Sequence, residues 1–256
     1  MTQDLEQIGL DTVDRFLKSW NSRNAEQWAE SLNYPHVRPS PFGPIKIAPT
    51  REDYVARVDY QKVIDSGWDH SEWDYQHVLH LSPQKIHVAG QWSRYSVTGE
   101  AILTTPIIYV CTLVDDHWGI QSRFGADFVD EDTDNTEMMS RGLDLIQDFA
   151  NNYRNRNQPA CAELLNYPHY GVGIGELDTT NSPAEFNLTD RTKNIESLTA
   201  IQVGQHSLNA SVDLSLEGET QMIQGIVHVN DREGHLGIQA WSWLTPNDSP
   251  SVTNRP

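Results

Sequence analysis

The nine residues SGWDHSEWD, Ser66 to Asp74, bring together two indoles (Trp68 and Trp73), one imidazole (His70) and three carboxylates (Asp69, Glu72 and Asp74). Indole faces can wall in a flat apolar ligand, and an imidazole beside a carboxylate can move protons near neutral pH. His70 and Asp74 are therefore candidate catalytic groups, with Trp68 and Trp73 as candidate ligand contacts. The plainer alternative has both indoles plugging a core while the polar groups face water. Tyr109 and Arg123 fall on predicted strands, where alternate side chains share a face. Turned inward, they offer a hydrogen-bond donor and an anion clamp; turned outward, they offer a contact between two parts of the chain.

A second set of candidates comes from a repeat. LNYPH occurs at Leu32 to His36 and again at Leu165 to His169, and the flanks match as well. Phe16 pairs with Phe149, Arg23-Asn24 with Arg156-Asn157, and Ala29-Glu30 with Ala162-Glu163. A second anchor, GIQ, stands at Gly119 to Gln121 and at Gly237 to Gln239. The chain is an internal duplication. His36 and His169 occur in both copies, so they read first as turn-fixing residues bonded to nearby backbone, with His36 also able to border a pocket. Where the first copy has Arg123, the second has Trp241, which implies an apolar second cavity, or one already filled.

The copies differ in length between their anchors. His36 to Gly119 spans 83 positions and His169 to Gly237 spans 68, so about fifteen residues are missing from the second copy. The strand patterns place that loss before Leu198, which would leave SGWDHSEWD without a counterpart.

Bulk properties narrow the classes of function. The 18 basic and 36 acidic residues leave a formal charge of -18, which repels nucleic acid and anionic membranes. Neither is an expected partner. His77 and His80 are three apart and on a strand point to opposite faces, which disfavours a zinc pair, the two cysteines sit in unrelated contexts, and no phosphate loop or nucleophile elbow is present. No cofactor or metal is expected. Without a basic-then-apolar leader or a long apolar window, the expectation is a soluble cytoplasmic protein. The 256 residues divide into a first domain, 1-130, and a second, shortened one, 138-246, with an acidic linker at 131-137 and a disordered tail at 247-256.

The elements follow from periodicity. Val13, Phe16, Leu17 and Trp20 lie at helical spacing. Asn24 begins a short second helix that should run to about Leu32, and Thr50 begins a third that should stop at Gly67. Four β-rich segments follow, and the second copy repeats the order. Helices first and consecutive strands second argue α+β with a curved antiparallel sheet.

With FLKSWNSRNAEQWAESLNYPHV in front and VDDHWGIQSRFGAD behind, each half resembles the SnoaL-like, ketosteroid-isomerase-like superfamily that includes nuclear transport factor 2. The resemblance covers nearly the whole chain. It implies two tandem conical α+β barrels, each with three N-terminal helices packed on a bent sheet around a mostly apolar pocket. Members commonly dimerise through the sheet face, so the two halves are expected to form an intramolecular pseudo-dimer, with a homodimer of chains as the alternative. The superfamily's steroid isomerases use a helix tyrosine, an aspartate base before a Pro-Phe-Gly-like turn and a protonated aspartate on a later strand. Phe16, Ser40 and approximately Val110 hold those places here, and they cannot do that chemistry. Phe16 remains a candidate cavity residue. The function expected is binding of a small apolar or aromatic molecule in the first half, with cofactor-independent acid-base catalysis if the protein is an enzyme. The alternative is a structural or interaction module with closed cones.

Overall fold

The computed structural model describes residues 2-40, 42, 44-127, 134-189, 193-216 and 222-244. Residues 131-133 of the expected linker and the whole expected tail lie outside these residues.

In the first half, α1 (Thr2–Asn21) turns Val13, Phe16, Leu17 and Trp20 onto a sheet, as their spacing requires. α2 (Ala25–Glu30) is capped by Asn24, whose side chain accepts from the backbone N–H groups of Glu26 and Gln27. It ends before Leu32, and LNYPH instead opens strand β1 (Leu32–Arg38), followed by β2 (Lys46–Ala48). The single third helix expected from Thr50 to Gly67 is two short ones, α3 (Arg51–Val55) and α4 (Tyr60–Ile64). Asp59 restarts the helix by accepting from Lys62 N–H, because a carboxylate competes with the helical ladder for backbone donors. Strands β3 (His70–Leu81), β4 (Lys85–Tyr95), β5 (Ala101–Val114) and β6 (His117–Gly125) complete a sheet of order β2-β1-β6-β5-β4-β3. One pair, β1 with β6, is parallel.

The second half begins with α5 (Thr136–Arg154), which starts inside the stretch read as linker; Asp134 accepts from Thr136 N–H, where an acid suits a helix N-terminus. α6 (Gln158–Glu163) precedes β7 (Leu165–Val172) and β8 (Leu177–Thr180). A single 3-10 turn (Pro183–Glu185) stands where α3 and α4 would be. Strands β9 (Lys193–Val203), β10 (Ser207–Leu216), β11 (Ile223–Arg232) and β12 (His235–Leu244) close a sheet of the same order, β8-β7-β12-β11-β10-β9. The missing residues are therefore the helix pair. SGWDHSEWD is not unmatched: most of it lies in β3, whose counterpart is β9.

The repeated motifs form one structural unit. Asn33 Nδ2 donates to Thr112 O (2.8 Å), Thr112 Oγ1 (2.9 Å) and Gly119 O (3.4 Å). Asn166 Nδ2 does the same to Asn230 O, Asn230 Oδ1 and Gly237 O. Tyr34 and Tyr167 hydroxyls donate to Ala29 O and Ala162 O, and both Tyr-Pro peptides are cis. Gln121 and Gln239 of the two GIQ segments reach Pro35 O and Pro168 O. The glycine of GIQ leaves room for this crossing, since a Cβ on Gly119 would lie 2.8 Å from Asn33 Oδ1 and from the Leu32 carbonyl carbon. Gly119→Ala is expected to lower stability by about 2 kcal/mol, as overpacking does. A urea titration with an unchanged midpoint would contradict this account of the repeat.

Strand β5 explains its own uninterrupted apolar run. Ile107, Tyr109 and Cys111 face α1, whereas Ile108 and Val110 join a cluster with Val37, Ala89 and Phe124 that packs on Tyr170, Val172, Ile226 and Ala240 of the second half. Both faces are buried, so alternation disappears. Polar pairs edge this contact in matched fashion. His80 and His87 share a hydrogen bond (3.0 Å), and His87 Nε2 meets Ser242 Oγ (2.9 Å). Gln202 and Asn209 occupy the corresponding strand positions, and Asn209 Nδ2 donates to Phe124 O (2.9 Å). Among the described residues no helix is long and apolar enough to cross a membrane.

Candidate functional site

The first sheet, α2, α3 and α4 enclose a cavity of about 680 Å³. Its inner wall is aromatic, made by Trp20, Trp28, His36 and Tyr54. Its other feature is charge. Arg38, Lys46, Arg57, Lys62, Arg94 and Arg123 all line it, against one acid, Asp59, which is exposed and caps α4. These six are one third of the 18 basic residues in a chain of charge -18. None has a carboxylate partner among the described residues.

The mutual proximity of the cations is costly. Burial and the neighbouring Arg123 guanidinium push Arg38 down to about 10. Desolvation also lowers Lys46, with Arg38 and Arg123 adding to it, and lowers Arg94. Aromatic faces hold two of the guanidinia: Arg123 lies 4.9 Å from the Phe16 ring and 5.6 Å from Trp28, and Arg94 lies 5.5 Å from Trp20. Buried N–H groups of Trp20 and Trp28 and the Tyr60 hydroxyl have no hydrogen-bond partner beside this space.

His36 is tied at both ring nitrogens. Nδ1 meets Ile120 O at 3.0 Å, and a carbonyl only accepts, so Nδ1 carries the proton. The Nε2 lone pair then accepts from Arg123 Nε at 3.3 Å, and Arg123 also donates to Tyr54 Oη at 3.2 Å. Burial and the Arg123 charge hold His36 well below its ordinary pKa. It is a neutral brace for Arg123, without a lone pair to spare for a substrate proton.

Of the residues singled out in the sequence, Arg123 and His36 line the cavity. Phe16 lies beneath Arg123 in the core, and Tyr109 is wholly buried, its hydroxyl pushed up by desolvation. Trp68 is core as well, donating to Ser71 Oγ (3.0 Å) and packing on Trp20. Trp73 is partly buried, edge-on to Tyr109. The expected catalytic pair lies away from this cavity. His70 is not among its lining residues; it is 39% exposed, bonded to Asp69 Oδ2 (3.0 Å) and stacked on Tyr95. Asp74 is exposed on the sheet, accepting from Gln91 and Ser93. The reason is strand alternation: β3 already begins at His70, so Ser71 and Trp73 turn inward and His70 and Glu72 turn out.

Sequence reading missed Arg38, Arg94, Tyr54 and the inner role of Trp20 and Trp28. One signal was available for Arg38, two residues beyond His36 on the same strand and so on the same face.

No family model matches the chain, and no curated protein matches its sequence. Solved structures do show similarity, each to about half of it. An NTF2-like protein of unknown function from Shewanella oneidensis MR-1 is 16% identical, covering 50% of this chain and 100% of that one, with a TM-score of 0.38. An NTF2-like protein of unknown function from Pseudomonas putida KT2440 is 14% identical over 46% and 93% of the two chains, with a TM-score of 0.37. A domain of unknown function with a cystatin-like fold from Nostoc punctiforme PCC 73102 is 16% identical over 52% and 82%, with a TM-score of 0.37. By its own strand order and helix placement, each half of this chain is an α+β cone, a bent six-stranded sheet wrapped on a long helix.

Proposed function

We propose that the first half is a receptor for a small organic anion with a flat apolar body, such as an aromatic carboxylate. The observation that carries this reading is the set of six cations, none with a carboxylate partner among the described residues, around an aromatic-walled cavity in a strongly acidic chain. Fixed positive charge in a partly desolvated space favours an anion far more than the same charge in water, and indole and phenol faces accept a ring. The expectation of an apolar or aromatic ligand is thereby extended with a negative group. Binding without catalysis is favoured because no lining residue is poised to take a proton at neutral pH: His36 is committed to Arg123, and Asp59 is a helix cap. The two halves act as an intramolecular pseudo-dimer, whose matched sheet contact holds the cones in fixed relation.

Calorimetric titration with 4-propylbenzoate tests this. The unaltered chain should bind it, and Arg38→Gln should weaken binding about tenfold, the effect of losing one charge-assisted hydrogen bond. Arg38 is chosen over Arg123 because it does not brace His36. Equal affinity in the variant, or no heat at all, would overturn the anion reading.

A further inference from the structure

The second cone is not filled. Between α5, the 3-10 turn and the second sheet lies a cavity of about 600 Å³. Its chemistry inverts that of the first. Phe149, Phe186, Val212, Leu214, Trp241 and Trp243 supply apolar wall, no lysine or arginine among the described residues lines it, and Asp178 and Glu185 stand among its polar residues. An anion would meet repulsion here, while a neutral apolar body would displace water from hydrocarbon.

One polar group within this lining lacks a partner. His169 repeats the bond of His36: Nδ1 meets Ile238 O at 3.0 Å and must carry the proton. In the first half, the remaining lone pair takes the Arg123 N–H. In the second, Trp241 stands at that position, its ring centroid 4.1 Å from that of the imidazole in an edge arrangement, and it makes no hydrogen bond to the nitrogen. His169 is 2% exposed, lines the cavity, and its Nε2 makes no hydrogen bond. A buried acceptor left open costs about 1 to 3 kcal/mol unless something donates to it. The ring stays neutral at pH 7, since burial lowers its pKa to about 4.

We propose that the second cavity is a separate site for a neutral, mainly apolar molecule bearing a hydroxyl, a phenol or an alcohol, whose O–H donates to His169 Nε2. The exchange of Arg123 for Trp241 does two things at once in this arrangement. It removes the charge that selects an anion, and it frees the acceptor that selects a donor. The chain then carries two receptors of opposite preference on one scaffold.

The test uses the full chain at pH 7.5 with 4-propylphenol and its methyl ether, 4-propylanisole, in which a methyl group replaces the donor proton. Calorimetry is expected to show the phenol binding about tenfold more tightly than the ether, the effect of one satisfied buried acceptor. His169→Phe should reduce the phenol to the affinity of the ether. Because that variant also loses the bond to Ile238, Ala150→Trp provides a second route. Ala150 lies on α5 at the cavity wall and is half-buried, so an indole there should fill the space. Phenol binding should vanish in Ala150→Trp while 4-propylbenzoate binding to the first cavity persists. Equal affinities for phenol and ether, phenol binding that survives Ala150→Trp, or no heat with the phenol would each overturn the proposal. The benzoate result bears on the first cavity alone, so the two readings fail separately.

Discussion

Lowering the pH from 7 to 5 is expected to remove about 4 kcal/mol or more of folding stability, a large part of what holds a domain folded. The cause is buried imidazole. His36 and His87 are held well below the ordinary histidine value by desolvation, with Arg123 adding to the effect at His36, and His80 and Lys85 at His87. Desolvation lowers His169 to about 4 and His228 to about 3. The folded pKa is depressed in every case, so the folded state binds fewer protons than the unfolded chain between the two values. Stability is therefore complete above about pH 6.5, where both states are neutral, and falls as acid protonates the unfolded chain first. Each such histidine costs about 1.4 kcal/mol for every pH unit below 6.5 until its own folded pKa is reached. His169 and His228 over one and a half units give the figure above, and His36 and His87 add to it in the same direction. His80 adds to it, because its Nδ1 shares one proton with His87 Nδ1 and the pair cannot both be charged. Relief of the -18 net charge acts the other way but begins only as exposed carboxylates titrate, near pH 4. Circular dichroism against pH should show a cooperative loss of structure near pH 5. A native spectrum retained at pH 4 would refute this account of the interior histidines.

Asn33→Leu and Asn166→Leu are each expected to cost about 3 to 6 kcal/mol, among the largest effects of any single substitution outside the apolar core. Each amide donates to three buried acceptors on the next two strands of its sheet. Leucine keeps the volume and removes the donor, so those carbonyls are left desolvated without a partner. Gln147→Leu, on the exposed face of α5, should change stability by less than about 0.5 kcal/mol and serves as control. Urea unfolding midpoints measure all three. If the two asparagine variants lie within about 1 kcal/mol of the unaltered chain, the amide knot is not what preserves LNYPH in both copies. The two substitutions should also affect different halves, so hydrogen exchange should show local loosening near β1 in one variant and near β7 in the other.

Short-range pattern was readable before any coordinates. The duplication, the α1 and α5 faces, the caps at Asn24 and Thr50, and the strands from β3 onward all follow from periodicities of 3.6 and 2 and from residues acting on neighbours a few positions away. The swap of Arg123 for Trp241 was visible too, because the repeat supplied its own register. What remained hidden depends on distance. The six cations of the first cavity come from β1, β2, α3 with its following turn, α4, β4 and β6, and no spacing in the chain announces that they converge. The placement of His70 and Asp74 outside the first cavity turns on a local detail, the alternation along β3, since one position of shift reverses which side chains enter the cone. LNYPH identified itself by recurring, yet its meaning lay elsewhere in the chain: the asparagine ties down strands some eighty residues away, and the histidine is a closed brace or an open acceptor according to what β6 or β12 sets beside it. Sequence alone determined the elements and their twofold order, because those are governed by neighbours. Charge selection and the free nitrogen were decided only when strands closed side by side, because a field and a hydrogen bond depend on separation in space.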